Sequence, residues 1–279
     1  RFVRLLCRHV VHATEISSRV GPPRAGAFRM RDLASTAGFL RSLLVYRRPG
    51  RQRGLRRLYA PFVPRGGLVF DVGAHVGDRS RAFSALGARV VAVEPQPRFA
   101  GWLERTLSRH GVVVERCGLD ATPGRAELQV SRAHPTVSTL NREWPRGLAE
   151  RNAGFSGVAW DRRQTIEVTT LDRLIERHGR PDFCKIDVEG FEDRVLAGLG
   201  QPLPALSVEF VQGALDVARR CVQRLEALGI YEFNAVAGER RRFLWSDWIE
   251  PQAAQQWLTG GAGGIASGDL YARRPDAAD

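Results

Sequence analysis

A short segment between residues 69 and 78 combines glycines with acidic side chains at a spacing that can hold a nucleotide-like ligand. It reads Val-Phe-Asp-Val-Gly-Ala-His-Val-Gly-Asp, with Asp71 ahead of a turn that Gly73 and Gly77 bound. Glycines at the end of a strand let the backbone turn tightly and let a ligand approach it closely. Glu94 ends the next predicted strand, where a carboxylate can accept hydrogen bonds from both hydroxyls of a ribose. Together these four residues predict a cofactor site at two neighbouring strand ends.

The spacing of the glycines separates two classes of cofactor. A dinucleotide fingerprint needs Gly-x-Gly-x-x-Gly, because a pyrophosphate must sit on the helix N-terminus. Here Ala74 follows Gly73 directly, and an acidic residue ahead of the turn suits an ammonium-bearing ligand better than a phosphate. S-adenosylmethionine (SAM) carries an amino-acid tail and a sulfonium and no phosphate, so the pattern favours SAM. The alternative is a tight strand–helix turn with a solvated carboxylate.

The end of the third predicted strand is expected to close over the base of this cofactor. We expect Leu119 to pack on the adenine and Asp120 to reach its amino group. His75 lies inside the glycine turn, where shaping the cofactor site is expected rather than proton transfer. The alternative for residues 116–120 is a plain turn that leads into Pro123-Gly124.

The catalytic candidates lie at the ends of two later strands. A general base beside a hydroxyl nucleophile accelerates a reaction by about 10²–10⁴-fold. Asp187 ends the strand over 182–188 with Lys185 on the same face, Glu189 follows in the turn, and Glu209 ends the next strand. We predict that Asp187 is the base or orients the acceptor, assisted by Glu189 and Glu209, while Lys185 orients a carboxylate. The alternative is that these acids cap the following helix or pair with the lysine.

Two further possibilities concern the same chemistry. His134, in a long segment without clear periodicity, is a second candidate for the base, or else a solvated loop residue. Asp187, Glu189 and Glu209 could together bind a divalent cation, but no histidine ligand lies nearby in the sequence, so no metal is expected.

The elements that must position these residues begin at residue 66, where strands and helices start to alternate. Alternation of this kind predicts an α/β domain over residues 61–279, with a mainly parallel sheet that helices cover on both faces. The expected strands lie near 68–72, 89–93, 112–115, 126–130, 165–168, 182–188, 206–210, 230–236, 242–245 and 269–273.

The first 60 residues differ from the rest in charge. They carry 14 Arg and 2 acids, whereas the remaining chain has 28 basic and 28 acidic groups, so the whole net charge of +12 lies in this part. Periodicity predicts basic helices over 1–20 and 28–46, which form a peripheral N-terminal extension. An amphipathic basic helix can lie on an anionic membrane surface, and the alternative is that its apolar face packs on the catalytic domain.

Cysteine spacing and hydropathy narrow the class of protein. The four cysteines are widely spaced and form no Cys-x-x-Cys pair, so disulfides are not expected and a reducing cytoplasm fits best. No apolar run reaches the roughly 18–20 residues of a membrane span.

Two stretches of the sequence resemble the FkbM-type methyltransferases. The first is the turn over 69–78 with Val93-Glu94-Pro95, and the second comprises Thr170-Leu171-Asp172-Arg173-Leu174, the run over 182–192, and Val195-Leu196-Ala197-Gly198. The resemblance covers roughly 66–275 and departs from the family in Cys184 and in a long segment at 141–164. It implies a Rossmann-like class I fold with a seven-stranded sheet, SAM as cofactor, and methylation of a hydroxyl on a sugar, polyketide or lipid-linked glycan.

Three other functions remain as alternatives. A nucleic-acid methyltransferase would use the basic N-terminal part, but the catalytic part is electroneutral and contains neither an Asn-Pro-Pro-Tyr-like motif nor a Pro-Cys nucleophile. The glycine spacing disfavours a dinucleotide oxidoreductase. A non-catalytic SAM-binding module would keep the fold without turnover, and the intact set of Asp71, Gly73, Gly77 and Glu94 argues against it.

Overall fold

A mostly parallel sheet organises the chain in the computed structural model, which describes residues 25–46, 50–144, 152, 155 and 157–275. The strands of this part are β1 (Leu68–Val72), β2 (Arg89–Val93), β3 (Val112–Glu115), β4 (Gly118–Leu119), β5 (Gly124–Val130), β6 (Arg162–Thr169), β7 (Phe183–Ile186), β8 (Ala205–Val211), β9 (Glu232–Ala237) and β10 (Ser267–Arg273). Its helices are α1 (Ala25–Tyr46), α2 (Arg51–Tyr59), α3 (Asp78–Ala85), α4 (Pro97–Leu107), α5 (Leu171–His178), α6 (Glu192–Ala197), α7 (Leu215–Leu228) and α8 (Pro251–Thr259).

Seven of the described strands form one sheet in the order β3-β2-β1-β7-β8-β10-β9. Strand β10 runs antiparallel to both of its neighbours, and the other pairs are parallel. The chain leaves β1 toward β3 and later returns on the other side of β1 through β7. In open α/β sheets, ligands bind in the crevice where the strand order reverses, so the site is expected beyond Val72 and Ile186. This is the Rossmann-like, mainly parallel sheet that the sequence predicts.

Each face of the sheet has its own hydrophobic core. Alternate strand residues such as Phe70, Cys184 and Leu206 pack under α5 to α8, and their neighbours such as Val69 and Phe183 pack under α2 to α4. Burial on both faces explains why the central parallel strands are nearly continuous apolar runs. A separate three-stranded sheet, β4-β6-β5, includes the strand expected near 126–130.

The strand expected near residues 242–245 is absent from this part of the structure. The segment forms isolated bridges between Val236 and Phe243 and between Phe233 and Ile249. The side chain of Asn234 donates to the carbonyl of Trp245 at 2.9 Å and accepts from its amide at 3.3 Å. An amide side chain therefore makes the hydrogen bonds that a neighbouring strand would otherwise make.

The N-terminal part of the chain is described from residue 25, so the helix expected over 1–20 lies outside the described residues. No helix in the described part is long and apolar enough to cross a membrane. Helix α2 contributes Leu55, Leu58 and Tyr59 to the core, and the ring of Tyr59 lies 4.6 Å from that of Phe83. The boundary expected at residue 60 thus directly follows a helix that belongs to the core.

The core position of α2 can be tested by its stability contribution. We expect Leu55→Ala to lower the free energy of unfolding by about 2–5 kcal/mol, because Leu55 is 1% exposed and its removal leaves a cavity. The control is Arg57→Ala on the exposed face of the same helix. This variant should change the free energy of unfolding by about 0.5 kcal/mol or less. Urea unfolding followed by circular dichroism measures both, and equal effects would contradict the packing described.

Candidate active site

Two adjoining cavities open at the carboxyl ends of β1 and β7. The apolar cavity is lined by Val72, Gly73, His75, Val93, Glu94, Pro95, Gln96, Cys117, Gly118, Leu119, Leu128, Pro135, Thr136, Ser138, Leu140, Asp187, Val188 and Glu189. The acidic cavity is lined by Tyr46, Asp71, Gly73, Ala74, His75, Val76, Asp78, Arg79, Thr136, Lys185, Asp187, Glu189, Glu209, Gly238, Glu239, Ser267, Gly268 and Asp269. Gly73, His75, Thr136, Asp187 and Glu189 line both, so a group bound in one cavity lies beside a group bound in the other.

The glycine turn brings two strand ends into contact. Gly73 has a φ of 81°, and a Cβ there would lie 1.9 Å from the carbonyl oxygen of Asp187. Only glycine fits, because any side chain would push apart the ends of β1 and β7. Gly77 has a φ of 78° and packs against Leu103 and Leu107, outside the lining of both cavities.

Glu94 is held at the end of β2 by two backbone amides. Its carboxylate accepts from the amide of His75 at 2.9 Å and from the amide of Gln96 at 2.8 Å. Burial raises the pKa of Glu94 to about 7, although these amides favour its charged form. A carboxylate oxygen has more than one lone-pair direction, so each oxygen can accept a further bond from a ligand in the apolar cavity.

The two residues expected at the adenine are placed differently. Leu119 is buried in the lining of the apolar cavity, with Leu128 and Leu140. Asp120 points elsewhere: it forms an ion pair with Arg194 at 2.8 Å and lies outside the lining of both cavities. The contact of Leu119 with the adenine stays a prediction, and the sequence gives no local sign of the arginine that α6 brings to Asp120.

The acidic cavity is built on one face of the sheet. On this face, Val69 and Phe183 are followed along their strands by Asp71 and Lys185, which are paired in register across β1 and β7. Glu209 on β8 pairs in register with Asp269 on β10. The face that is apolar in the middle of the sheet thus becomes polar at the end where the strand order reverses.

Lys185 lies inside this polar surface with 1% of its side chain exposed. Its ammonium is 2.7 Å from Asp187 Oδ2 and 3.4 Å from Asp269 Oδ1. Burial opposes the charge, but the two carboxylates outweigh it and hold the pKa of Lys185 well above its ordinary value. The predicted pairing of Lys185 with a carboxylate is present, and it involves Asp269 as well.

The carboxyl groups of Asp187, Glu189 and Glu209 differ in the direction of their pKa shifts. Burial disfavours the charge of Asp187, but Lys185 and Arg79 outweigh it and lower the pKa of Asp187 below its ordinary value. Burial, reinforced by neighbouring acids, raises the pKa values of Glu189 and Glu209 well above theirs. Glu189 and Glu209 therefore hold a proton more readily than Asp187 does. The Oε2 atoms of both glutamates are buried with no hydrogen-bond partner in the described part of the chain.

Glu189 also has a strained backbone. Its φ of 58° is in the left-handed region, which costs roughly 1–3 kcal/mol for a residue other than glycine. Thr139 Oγ1 donates to its carbonyl at 2.7 Å, and Asn141 donates to the carbonyl of Gly190 at 2.9 Å. These bonds hold the turn so that the side chain of Glu189 points into the shared wall.

The remaining predicted site residues are the carboxylates of a possible cation site and the two histidines, His75 and His134. One oxygen each of Asp187, Glu189 and Glu209 lies within 4.8 Å of the others, so the cluster has the dimensions of a cation site. His75 lines both cavities, and burial lowers its pKa to about 3. His134 lies outside both linings, and its Nδ1 is 3.4 Å from Arg41.

Sequence reasoning missed several residues of the acidic cavity. Asp269 is an acid among the buried residues of β10, which is a usable signal. Arg79 bridges Asp78 at 3.4 Å and Glu239 at 3.2 Å, but its partner Glu239 is 160 residues away. Tyr46 reaches the cavity from α1, and nothing local in the sequence indicates this.

The chain is similar to several solved structures. Among solved structures, a TehB-like SAM-dependent methyltransferase from Corynebacterium glutamicum ATCC 13032 Kitasato is 12% identical, with a TM-score of 0.45 over 88% of this chain and 98% of that chain. An O-methyltransferase from Bacillus cereus, solved in complex with SAH, is 13% identical, with a TM-score of 0.42 over 91% and 93% of the two chains. No protein of curated function matches the sequence.

The sequence also matches a family model, described as the methyltransferase FkbM domain, over residues 71–246. This range includes the glycine turn, Glu94, the strand with Lys185 and Asp187, and Glu209. It covers more than half of the chain, which therefore belongs to the FkbM methyltransferase family and is a SAM-dependent methyltransferase.

Proposed function

We propose that this protein methylates a hydroxyl group on an uncharged, hydroxyl-rich acceptor such as a sugar, a polyketide or a glycan. The observation that carries the proposal is the pair of buried carboxyl groups, Glu189 and Glu209, whose Oε2 atoms face the acidic cavity without a partner. Buried polar atoms without partners are costly unless a ligand completes their bonds. Acceptor hydroxyls can donate to these oxygens.

The apolar cavity suits the cofactor. Glu94 has free lone pairs for the ribose hydroxyls, and Leu119 and Leu128 offer an apolar surface for the adenine. Gly73 lines the wall shared with the acidic cavity, where its backbone lies against the carbonyl of Asp187. Bound there, SAM supplies an electrophilic methyl group on its sulfonium.

The charges around the acidic cavity select the acceptor. Asp71, Asp187 and Asp269 lie along its floor with Lys185, whose charge their side chains already balance. A phosphate or carboxylate next to the reacting hydroxyl would meet these acids, while the other cation of the described lining, Arg79, is paired with Asp78 and Glu239. A neutral polyol would instead bring donors to oxygens that lack them.

Asp187 is proposed to take the proton of the hydroxyl. It is ionised because Lys185 lowers its pKa, and Glu209 donates a hydrogen bond to it. Transfer of the methyl group to the oxygen releases this proton, which moves to the carboxylate of Asp187. We propose that Lys185, rather than a metal ion, supplies the positive charge among these carboxylates, since its ammonium already contacts Asp187 and Asp269.

The ribose contact predicts a pH dependence of SAM binding. Glu94 has a pKa of about 7, and its ionised form is the better acceptor for hydroxyls, so SAM affinity should fall as the pH drops through 7. Glu94→Gln should weaken binding about tenfold at pH 8.5 and remove most of the pH dependence. Titration calorimetry at pH 6 and 8.5 measures both.

The matched control for Glu94 is Glu115→Gln at the end of β3, outside both cavities, where Glu115 pairs with Arg177 and His178. Its SAM affinity should equal that of the wild type. A wild-type affinity that is the same at pH 6 and 8.5 would argue against the assignment of Glu94.

If Asp187 takes the proton of the hydroxyl, two isosteric variants should differ in activity. Asp187→Asn should lower kcat about 10²–10⁴-fold, because an amide cannot accept the proton. Glu209→Gln should keep activity within about threefold, because a protonated carboxyl group and an amide both donate a hydrogen bond to Asp187. SAH release measures turnover, and SAM affinity should change little in either variant. Full activity of Asp187→Asn would refute the role of Asp187.

The choice of acceptor can be tested with paired compounds. A panel of neutral methyl glycosides and their phosphorylated counterparts is incubated with protein and SAM, and methyl ethers are detected by mass spectrometry. We expect products only from neutral members, with the methyl group on oxygen. Turnover of phosphorylated members alone would contradict the charge argument.

A further inference from the structure

We propose that helix α1, which precedes the matched family domain, is part of the active site and that Tyr46 is a positioning residue for the glycine turn. The proposal concerns the binding of SAM and holds whichever acceptor atom receives the methyl group. Three sets of contacts place α1 across the walls of the two cavities.

The first contacts are with α4, which begins just after Glu94. The ring of Phe39 lies 5.5 Å from that of Phe99 and 5.4 Å from that of Trp102. Arg98 lies 4.9 Å above the ring of Phe39 and donates to Ser35 at 3.2 Å. Helix α1 is thereby anchored on the first turns of α4.

The second contacts are with the loop over residues 131–138, whose Pro135, Thr136 and Ser138 line the cavities. Gly38 is buried against this loop, and a Cβ on it would lie 2.5 Å from the carbonyl oxygen of Arg132. The backbones of α1 and the loop therefore touch at Gly38. A side chain there would force one of them to move.

The third contacts link α1 to the cofactor turn. The ring of His75 contacts two aromatic rings, that of Phe99 at 4.4 Å and that of Tyr46 at 5.7 Å, the latter nearly perpendicular to it. The guanidinium of Arg51 lies 4.8 Å above the ring of Tyr46 and adds a second contact to it. Tyr46 itself lines the acidic cavity.

These contacts form one connected path to the cofactor site. His75 has a φ of 49°, and its amide donates to Glu94. Contacts of the His75 ring with Phe99 and Tyr46 restrict this residue and so keep its amide in place. Tyr46 therefore acts on Glu94 through His75, and ordering of α1 and binding of SAM should support each other.

The test compares variants of the full chain that differ in which contact they break. Tyr46→Ala removes the ring beside His75, and Gly38→Ala separates α1 from the loop without altering a cavity residue. We expect both to raise the Kd for SAM by about 3- to 10-fold in titration calorimetry. Tyr46→Phe keeps the ring and should bind like the wild type. The control is Leu44→Ala, on the exposed face of α1, which should also bind like the wild type.

Hydrogen exchange gives a second readout that does not depend on activity. SAM should slow amide exchange over residues 35–46 in the wild type and in Leu44→Ala, but less in Tyr46→Ala and Gly38→Ala. Melting temperatures taken without SAM separate a loss of fold from a loss of coupling. Unchanged SAM affinity in both Tyr46→Ala and Gly38→Ala, with no effect of SAM on exchange in α1, would overturn the proposal. Normal SAM binding without methylation of hydroxyls would instead count against the proposed acceptor alone.

Discussion

The ammonium group of Lys185 lies inside the sheet, and the acidic cavity depends on how its charge is balanced. A buried charge is tolerated only when it is paired, and removing one partner of such a pair typically costs about 3–5 kcal/mol. Its partners, Asp187 and Asp269, come from the end of its own strand and from β10, two strands away. The pairing therefore requires β7, β8 and β10 to be aligned correctly. Lys185 is the sole lysine of a chain with 41 arginines. An ammonium is more compact than a planar guanidinium, which suits this enclosed position between two carboxylates.

A second constraint joins the two cavities. The backbone at Gly73 approaches the carbonyl of Asp187 so closely that no Cβ fits, and the amide of Asp187 donates to Val72. The turn that faces the cofactor and the carboxylate proposed as the base are thus adjacent parts of one backbone contact. Much of the catalysis of a displacement reaction can come from positioning, worth about 7–11 kcal/mol for well-oriented groups. A rigid contact between strand ends is a physical means of providing it.

Those features that depend on local sequence were predictable, and those that depend on distant neighbours were not. The glycine turn and the end of β2 are recognisable from neighbouring residues in the sequence, so the turn and Glu94 could be located. Asp120 was expected at the adenine, but Arg194 of α6 binds it, and no local pattern links residues 74 positions apart. Asp269 faces Glu209 because β10 inserts between β8 and β9, an order that strand periodicity cannot reveal. Tyr46 was missed because its contact with His75 joins parts of the chain that are distant in sequence.

The charge of the N-terminal part is partly structural. Arg51, one of its 14 arginines, forms ion pairs with Asp78 at 2.5 Å and Glu239 at 2.7 Å and stacks on Tyr46. Arg79 joins the same network, and the two arginines lower the pKa of Glu239 to about 2 despite its burial. A basic residue that neutralises the rim of an acidic cavity has no charge left for a phosphate backbone. A count of arginines therefore overstates the attraction for nucleic acid, because such binding depends on cations that are free to replace counterions.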